Sequence, residues 1–136
     1  MVEVTLSATV IVQGGPRVPV GLTLKPETCA YATVVLEKKD DHEDVPLLPA
    51  TGTPSLLAIS AVDDNNKPVK VGVKPTDGAN AAGSEFEVDG TLIIANSAVL
   101  AALHAPGVRG VTVTNKADGT VKVQILAGVG AEESND

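Results

Sequence analysis

The sequence predicts an all-β domain, or a β-rich one with a single short helix, arranged as an antiparallel β-sandwich or a small barrel. Apolar and polar residues alternate over several stretches of strand length, the period of two expected of a strand with one buried face. These stretches are short and are separated by Gly, Pro, Asn and Asp, the residues of turns. No repeat at a fixed period runs through the sequence, which sets solenoids and propellers aside.

The elements follow in order. Residues 2–12 alternate cleanly, with Val2, Val4, Leu6, Ala8, Val10 and Val12 on one side and Glu3, Thr5, Ser7, Thr9 and Gln13 on the other. Gly14-Gly15-Pro16 ends this strand. A second strand covers 18–24, where Pro19 fits an edge or a strand start because it has no N–H to give a ladder. Lys25-Pro26-Glu27 breaks the pattern, and residues 30–37 form a third strand. The charged run 38–44, followed by Pro46, Pro49, Gly52 and Pro54, reads as a long solvated loop. Strands over 55–62 and 69–74 are joined by Asp63-Asp64-Asn65-Asn66, a hairpin turn by composition.

Residues 76–84 are small and polar and read as a mobile loop. Residues 85–88 and 91–95 flank Asp89-Gly90 as a second hairpin. Asn96 or Ser97 caps a helix over 98–105, which Pro106-Gly107 stops. Two turns are marginal alone, so the sheet must hold it. A last hairpin pairs 108–114 with 120–127 around residues 115–119, with Val111 and Val113 on one face and Val121, Val123 and Ile125 on another. The expected organisation is one β-rich domain over residues 1–127 and an acidic flexible tail over 128–136.

A chain of 136 residues has room for one domain with a real core. Its only aromatic residues are Tyr31 and Phe86, so valine, leucine and alanine must do the packing. Aromatic side chains bury the most area per residue, and a core without them leaves reason to bury further surface against a partner. The expected partner is a second copy, in a homo-oligomer, or another assembly protein. The contact residues would be apolar side chains on sheet faces outside the core, with the 38–54 and 75–84 loops as arms.

Charge narrows the partners. Ten Lys and Arg against 17 Asp and Glu give a net charge of −7, the wrong sign for replacing counterions on a phosphate backbone. Lys70, Lys74, Arg109 and Lys122 are scattered along strands, without aromatics on which bases could stack. Nucleic acid is therefore not expected as a partner. A membrane is not expected either, because no apolar run approaches the roughly 20 residues that span a bilayer. Met1-Val2-Glu3-Val4-Thr5 has no basic region leading into an apolar one. The expected location is the cytoplasm, with incorporation into a virion if the assembly is one. The single cysteine, Cys29, lies in Cys29-Ala30-Tyr31-Ala32 and reads as a small buried hydrophobe.

No catalytic, cofactor-binding or metal-ligating set emerges from the spacing. Leu48-Pro49-Ala50-Thr51-Gly52 matches the five-residue signal cleaved by sortases on Gram-positive surface proteins, yet strand-like alternation follows where that signal requires an apolar segment and a basic tail. It is read as a loop. Neither Asp40, Asp41, Glu43 and Asp44 nor Asp63-Asp64-Asn65-Asn66 has the spacing of a calcium loop. His42, His104 and Cys29 are too few and too scattered for zinc. A nucleophile elbow and a phosphate-binding loop are both missing from the sequence. The expected function is that of a non-enzymatic structural or assembly protein working through protein–protein contacts, such as a bacteriophage capsid-decoration, head-completion or tail protein. One alternative is a carbohydrate-binding or adhesive β-sandwich, for which two aromatics are few. Another is a small carboxylate-dependent enzyme using Asp63, Asp77 or Asp89, none of which the spacing singles out.

Overall fold

A computed structural model describes residues 4–11, 13–15, 17–24, 28–48, 53–76, 83–104 and 108–129; over 4–11, 17–24 and at Thr28 it describes the backbone alone. The strands are β1 (Val4–Ile11), β2 (Arg17–Leu24), β3 (Thr28–Leu36), β4 (His42–Pro46), β5 (Pro54–Val62), β6 (Lys70–Thr76), β7 (Phe86–Asp89), β8 (Thr91–Ile94), β9 (Gly110–Asn115) and β10 (Val121–Val129). One helix, α1 (Ser97–Leu103), lies between β8 and β9. Of the two architectures expected, the β-sandwich is adopted and no barrel closes.

One sheet has the order β3-β10-β5-β8, the other β4-β9-β6-β7, and every pairing is antiparallel. β1 and β2 pair with each other in a separate two-stranded ribbon, in register from Val4↔Leu24 to Ile11↔Arg17. The order of the large sheets has a simple origin. A long antiparallel ribbon runs out along β3, β4, β5 and β6 and returns along β7, β8, β9 and β10. It pairs β6 with β7, β5 with β8, β4 with β9 and β3 with β10, and it is rolled so that successive strands switch sheets. This is the jelly-roll form of the sandwich.

The strands read from the sequence supply the core. Val34 and Leu36 of β3, Leu57, Ile59 and Ala61 of β5, Val71 and Val73 of β6, Val111 and Val113 of β9, and Val121, Val123 and Ile125 of β10 are all buried in one cluster. Valine dominates because its branched Cβ suits the extended backbone and leaves few rotamers to freeze. Phe86 only flanks this cluster and Tyr31 stands outside it, so the buried cluster itself is aliphatic. Leu100 is fully buried and fastens α1 to the core. Asn96 is the helix cap, its Oδ1 accepting from the N–H of Ala98 at 2.9 Å and of Val99 at 3.1 Å. The helix ends at Leu103, two residues sooner than expected, because His104 turns to an extended conformation.

Three expected hairpins are corners that carry the chain from one sheet to the other. After a single bridge, Val62↔Pro68, β5 and β6 part into different sheets. β7 and β8 part on either side of Gly90, and β9 and β10 on either side of residues 116–120. The turns fall where their residues predict, but the same residues serve a hairpin and an arch, and only distant pairing partners decide between them. The expected loop over 38–54 is also corrected. Residues 38–41 make a tight turn in which Asp41 Oδ2 accepts from Lys38 N–H at 3.0 Å, and β4 follows it along β9. Only Val45 of its five residues is buried, so the strand carries no apolar period in the sequence. As an edge strand with a polar exterior it needs no other apolar contact.

β10 continues to Val129, two residues past the boundary expected at 127. Most of the expected 76–84 loop, the helix stop at Pro106-Gly107 and residues 130–136 lie outside the described residues.

The first two corners are tied to each other. Ala61 N–H donates to Gly90 O at 2.7 Å, Gly90 N–H to Val69 O at 3.1 Å, and Val69 N–H to Ala61 O at 3.2 Å, a closed cycle of three backbone bonds. Asn66 adopts φ 62° and Gly90 φ 91°, the left-handed region that lets each turn close. At the third corner Asn115, fully buried, donates through Nδ2 to Leu36 O at 3.2 Å and Gly119 O at 2.8 Å and accepts at Oδ1 from Ala117 N–H at 2.7 Å.

Asp63 starts the first corner with a side-chain turn, its Oδ1 accepting from the N–H of Asn65 at 2.8 Å and of Lys67 at 3.0 Å. The backbone N–H of Lys67, and after it that of Asn65, holds this carboxyl below the usual aspartate range. A carboxyl depressed in the folded state contributes stability that is present above its unfolded pKa of about 3.9 and is lost as pH falls through the folded value. Between about pH 5 and pH 3 the wild-type chain should lose more stability than an Asp63→Asn variant. Urea midpoints measured across that range check it, and parallel curves would contradict it.

Candidate functional site

The two outer faces of the sandwich differ in kind. On the β4-β9-β6-β7 sheet, Asp44, Thr112 and Lys74 stand in one cross-strand row, His42, Thr114, Gly72 and Glu87 in the next, and Lys70 beside Asp89 at the end. Thr112 Oγ1 donates to Asp44 Oδ1 at 2.7 Å, and Lys70 Nζ lies 3.9 Å from Glu87 Oε1. Mixed charge of this kind is a solvated surface, where such pairs contribute about 0–1 kcal/mol each.

The outer face of the β3-β10-β5-β8 sheet carries one charge, Lys122, among its outward strand residues. Its middle row is apolar, Tyr31–Leu126–Ala58–Ile93 in direct register. The next row is polar and uncharged, Thr33–Gln124–Ser60–Thr91. Beyond it Lys122 stands between Val35 and Val62. Tyr31 is 61% exposed, Val35 56% and Ile93 45%. Large apolar side chains are thus held in water on this face, with Tyr31 and Ile93 at the two ends of its apolar row and Val35 two rows away.

Tyr31 is also fixed in place. Its phenol oxygen accepts from Thr33 Oγ1 at 3.3 Å and from Gln124 Nε2 at 2.7 Å, and these two donors hold the phenol below its ordinary pKa. The ring is therefore pre-ordered on the surface, which lowers the entropy cost of using it as a contact. It borders a shallow cavity of about 260 Å³, whose lining includes Ser60, Thr91, Ile93, Gln124 and Leu126. The sequence could have shown this face. Tyr31, Thr33 and Val35 occupy the phase of β3 opposite Ala32, Val34 and Leu36, but an apolar-leaning stretch read as a block hides its outward half.

The carboxylates and histidines weighed in the sequence have other places. Asp63 serves its turn, Asp89 stands on β7 in register with Lys70, and Asp77 lies outside the described residues. His42 is exposed on β4, and His104 ends α1 with its Nε2 buried and without a partner among the described residues. Cys29 is free and half-buried, and desolvation pushes its thiol up, as befits a packing residue rather than a nucleophile. Asp40, Asp41, Glu43 and Asp44 do not converge, and no group of three or more His, Cys, Asp or Glu among the described residues could hold a metal ion. No helix among the described residues is long and apolar enough to cross a membrane. In the sortase-like stretch Leu48 is buried and its N–H donates to Arg109 O at 2.8 Å; the other four residues lie outside the described ones.

No family model matches this sequence, and neither a curated protein nor a solved structure matches it.

Proposed function

We propose that this chain is a non-enzymatic assembly domain that joins a larger structure through protein–protein contacts, and specifically that it is a bacteriophage virion component of the decoration, head-completion or tail kind. One observation carries the assembly reading: the outer face of the β3-β10-β5-β8 sheet, with its apolar row, its pinned tyrosine and its single charge. A net charge of −7 opposes close approach of two copies over most of their surface, and least over a face almost without charge. The virion part is an analogy from fold, since jelly rolls recur in viral capsids as well as in lectins and cupins.

Sedimentation equilibrium of the full chain at micromolar concentration should show a species heavier than the 13.7 kDa monomer. Ile93→Asp should dissociate it with an unchanged far-ultraviolet spectrum, because residue 93 is outside the core and a carboxylate buried unpaired in an interface costs about 3–5 kcal/mol. A wild-type chain that is monomeric at all concentrations would overturn self-assembly. Absence of the chain from purified particles of a phage that encodes it would overturn the virion reading.

A second reading rests on the same face: a fixed ring beside hydroxyl and amide groups is how a β-sandwich holds a sugar ring. Saturable broadening of the Tyr31 and Gln124 resonances by an oligosaccharide would favour it.

A further inference from the structure

Four strands form the edges of the sandwich, and three of them are guarded against pairing with another chain. β7 and β8 have only four residues each, and β4 carries Glu43, Asp44 and Pro46 within its five. Short length, charge and proline are the usual means of keeping an edge from adding a further strand. β3 has none of them. It runs for nine residues without a charged residue, a proline or a glycine. Its ladder to β10 holds one register from Leu36↔Val121 to Thr28↔Val129, with no bulge. No described strand pairs along its other side, where alternate residues of an edge strand turn their N–H and C=O groups outward.

We propose that β3 pairs antiparallel with β3 of a second copy across a two-fold axis at Thr33, which joins two four-stranded sheets into one of eight strands. This inference rests on the assembly reading and names one of its contacts. The residues of the strand choose the occupant, because β3 complements itself about Thr33. On the outer face Tyr31, 61% exposed, comes opposite Val35 of the second copy, 56% exposed, and the axis repeats the pair. An aromatic ring beside a β-branched side chain, and Thr33 beside Thr33, are favourable cross-strand pairs. On the inner face Ala32 meets Val34 and Ala30 meets Leu36, so each half-buried alanine at this margin of the core gains a larger neighbour. Charge agrees. Residues 30–36 carry none, so the net charge of −7, which opposes contact elsewhere, acts least here. Glu37 enters only at the outermost pair, opposite Cys29, where it is exposed.

Area sets what the edge can do. A nine-residue edge is roughly 30 Å long and one sheet is about 10 Å thick, which gives roughly 300 Å² for each copy. A standard interface buries about 800 Å² per partner. Edge pairing therefore works beside the face contact, not in place of it. It also enlarges that face. The Tyr31–Leu126–Ala58–Ile93 row of one copy runs on into Val35, Lys122 and Val62 of the other, and the Thr33–Gln124–Ser60–Thr91 row meets its own two-fold image.

A charge swap at the axis tests the pairing in the full chain. Thr33→Lys and Thr33→Asp each set like charges side by side on the axis. Each should weaken self-association about tenfold at low salt, read by sedimentation equilibrium, with an unchanged far-ultraviolet spectrum. An equimolar mixture of the two should regain the association of the wild type, as expected when residue 33 meets its own copy. In the wild-type chain, a sample mixed from isotopically labelled and unlabelled copies should give an NOE between the Tyr31 ring and the Val35 methyls. Within one strand those residues stand roughly 13 Å apart, beyond its reach. Single variants that associate like the wild type, a mixture that stays dissociated, or an associated wild type without that NOE would overturn the pairing. The assembly reading then stands if Ile93→Asp still dissociates the oligomer. A wild-type chain that never associates would overturn both.

Discussion

Replacing Gly90 with valine should lower the stability of the fold by about 3–5 kcal/mol, a large share of the 5–15 kcal/mol typical of a domain. Two costs combine at this corner. Gly90 sits at φ 91°, where a side chain is strained and a β-branched one most of all. A Cβ there would also stand 2.9 Å from the Cβ of Pro68, part of the rigid turn that the same corner is bonded to. Because Gly90 both donates and accepts in the three-bond cycle with Ala61 and Val69, moving it to relieve the clash strains β5 and the residue that leads into β6. Gly72→Ala is the internal control. The nearest atoms that a Cβ at residue 72 would meet are the flexible ends of Glu85 and Lys116, whose ion pair spans 3.6 Å and is partly exposed. That pair can shift aside, and alanine suits a strand better than glycine, so the change should stay within about 1 kcal/mol. Urea midpoints measure both variants, and equal effects would show that the corner is not a constraint.

Asn115→Ala should cost about 3–4 kcal/mol, the second largest effect. The side chain makes three hydrogen bonds at a fully buried position. Its loss leaves the Leu36 and Gly119 carbonyls and the Ala117 N–H without that partner, at about 1–3 kcal/mol for each group left buried and unpaired. Asn115→Asp separates shape from chemistry. Its carboxylate keeps the acceptor for Ala117 but turns a second oxygen toward two carbonyls. Burial and those carbonyls raise its folded-state pKa above the unfolded value, so the penalty is largest at neutral pH and eases as pH falls through the raised value. A variant equally unstable at pH 7 and pH 5 would contradict this account.

The strands were legible in the sequence wherever one face is buried along their length. Val111 and Val113, and Val121, Val123 and Ile125, reveal their inward phase by alternation alone, whereas Leu57, Ile59 and Ala61 lie in the nearly continuous apolar run 56–62, which shows a strand without its phase. The helix start was legible because Asn96 has the side chain for a cap. The pairing was not. Asp89-Gly90 and residues 115–119 carry the same turn chemistry whether the chain folds back in one sheet or arches to the other, and the choice lies with β3, β4, β5 and β6, remote in sequence. β4 stayed hidden because an edge strand with one inward side chain has no periodicity to display. The candidate face was half legible: aromatic scarcity gave reason to expect apolar surface outside the core, yet only the register Tyr31↔Leu126↔Ala58↔Ile93 shows that four apolar residues on four strands form one row.

The rolled ribbon also sets the order in which this molecule can fold. β6 and β7 are joined locally, with Val73 meeting Phe86, whereas β3 must wait for β10, with Thr28 meeting Val129 at the far end. Chains whose contacts are this distant in sequence fold in milliseconds to seconds rather than microseconds. β10 is moreover the inner strand that lies between β3 and β5. On the ribosome β3 and β5 therefore emerge long before the strand that joins them. Until β10 is inserted, the apolar side chains of Val34, Leu36, Leu57 and Ile59 have no completed sheet to close over them, and the nascent chain is open to misassembly.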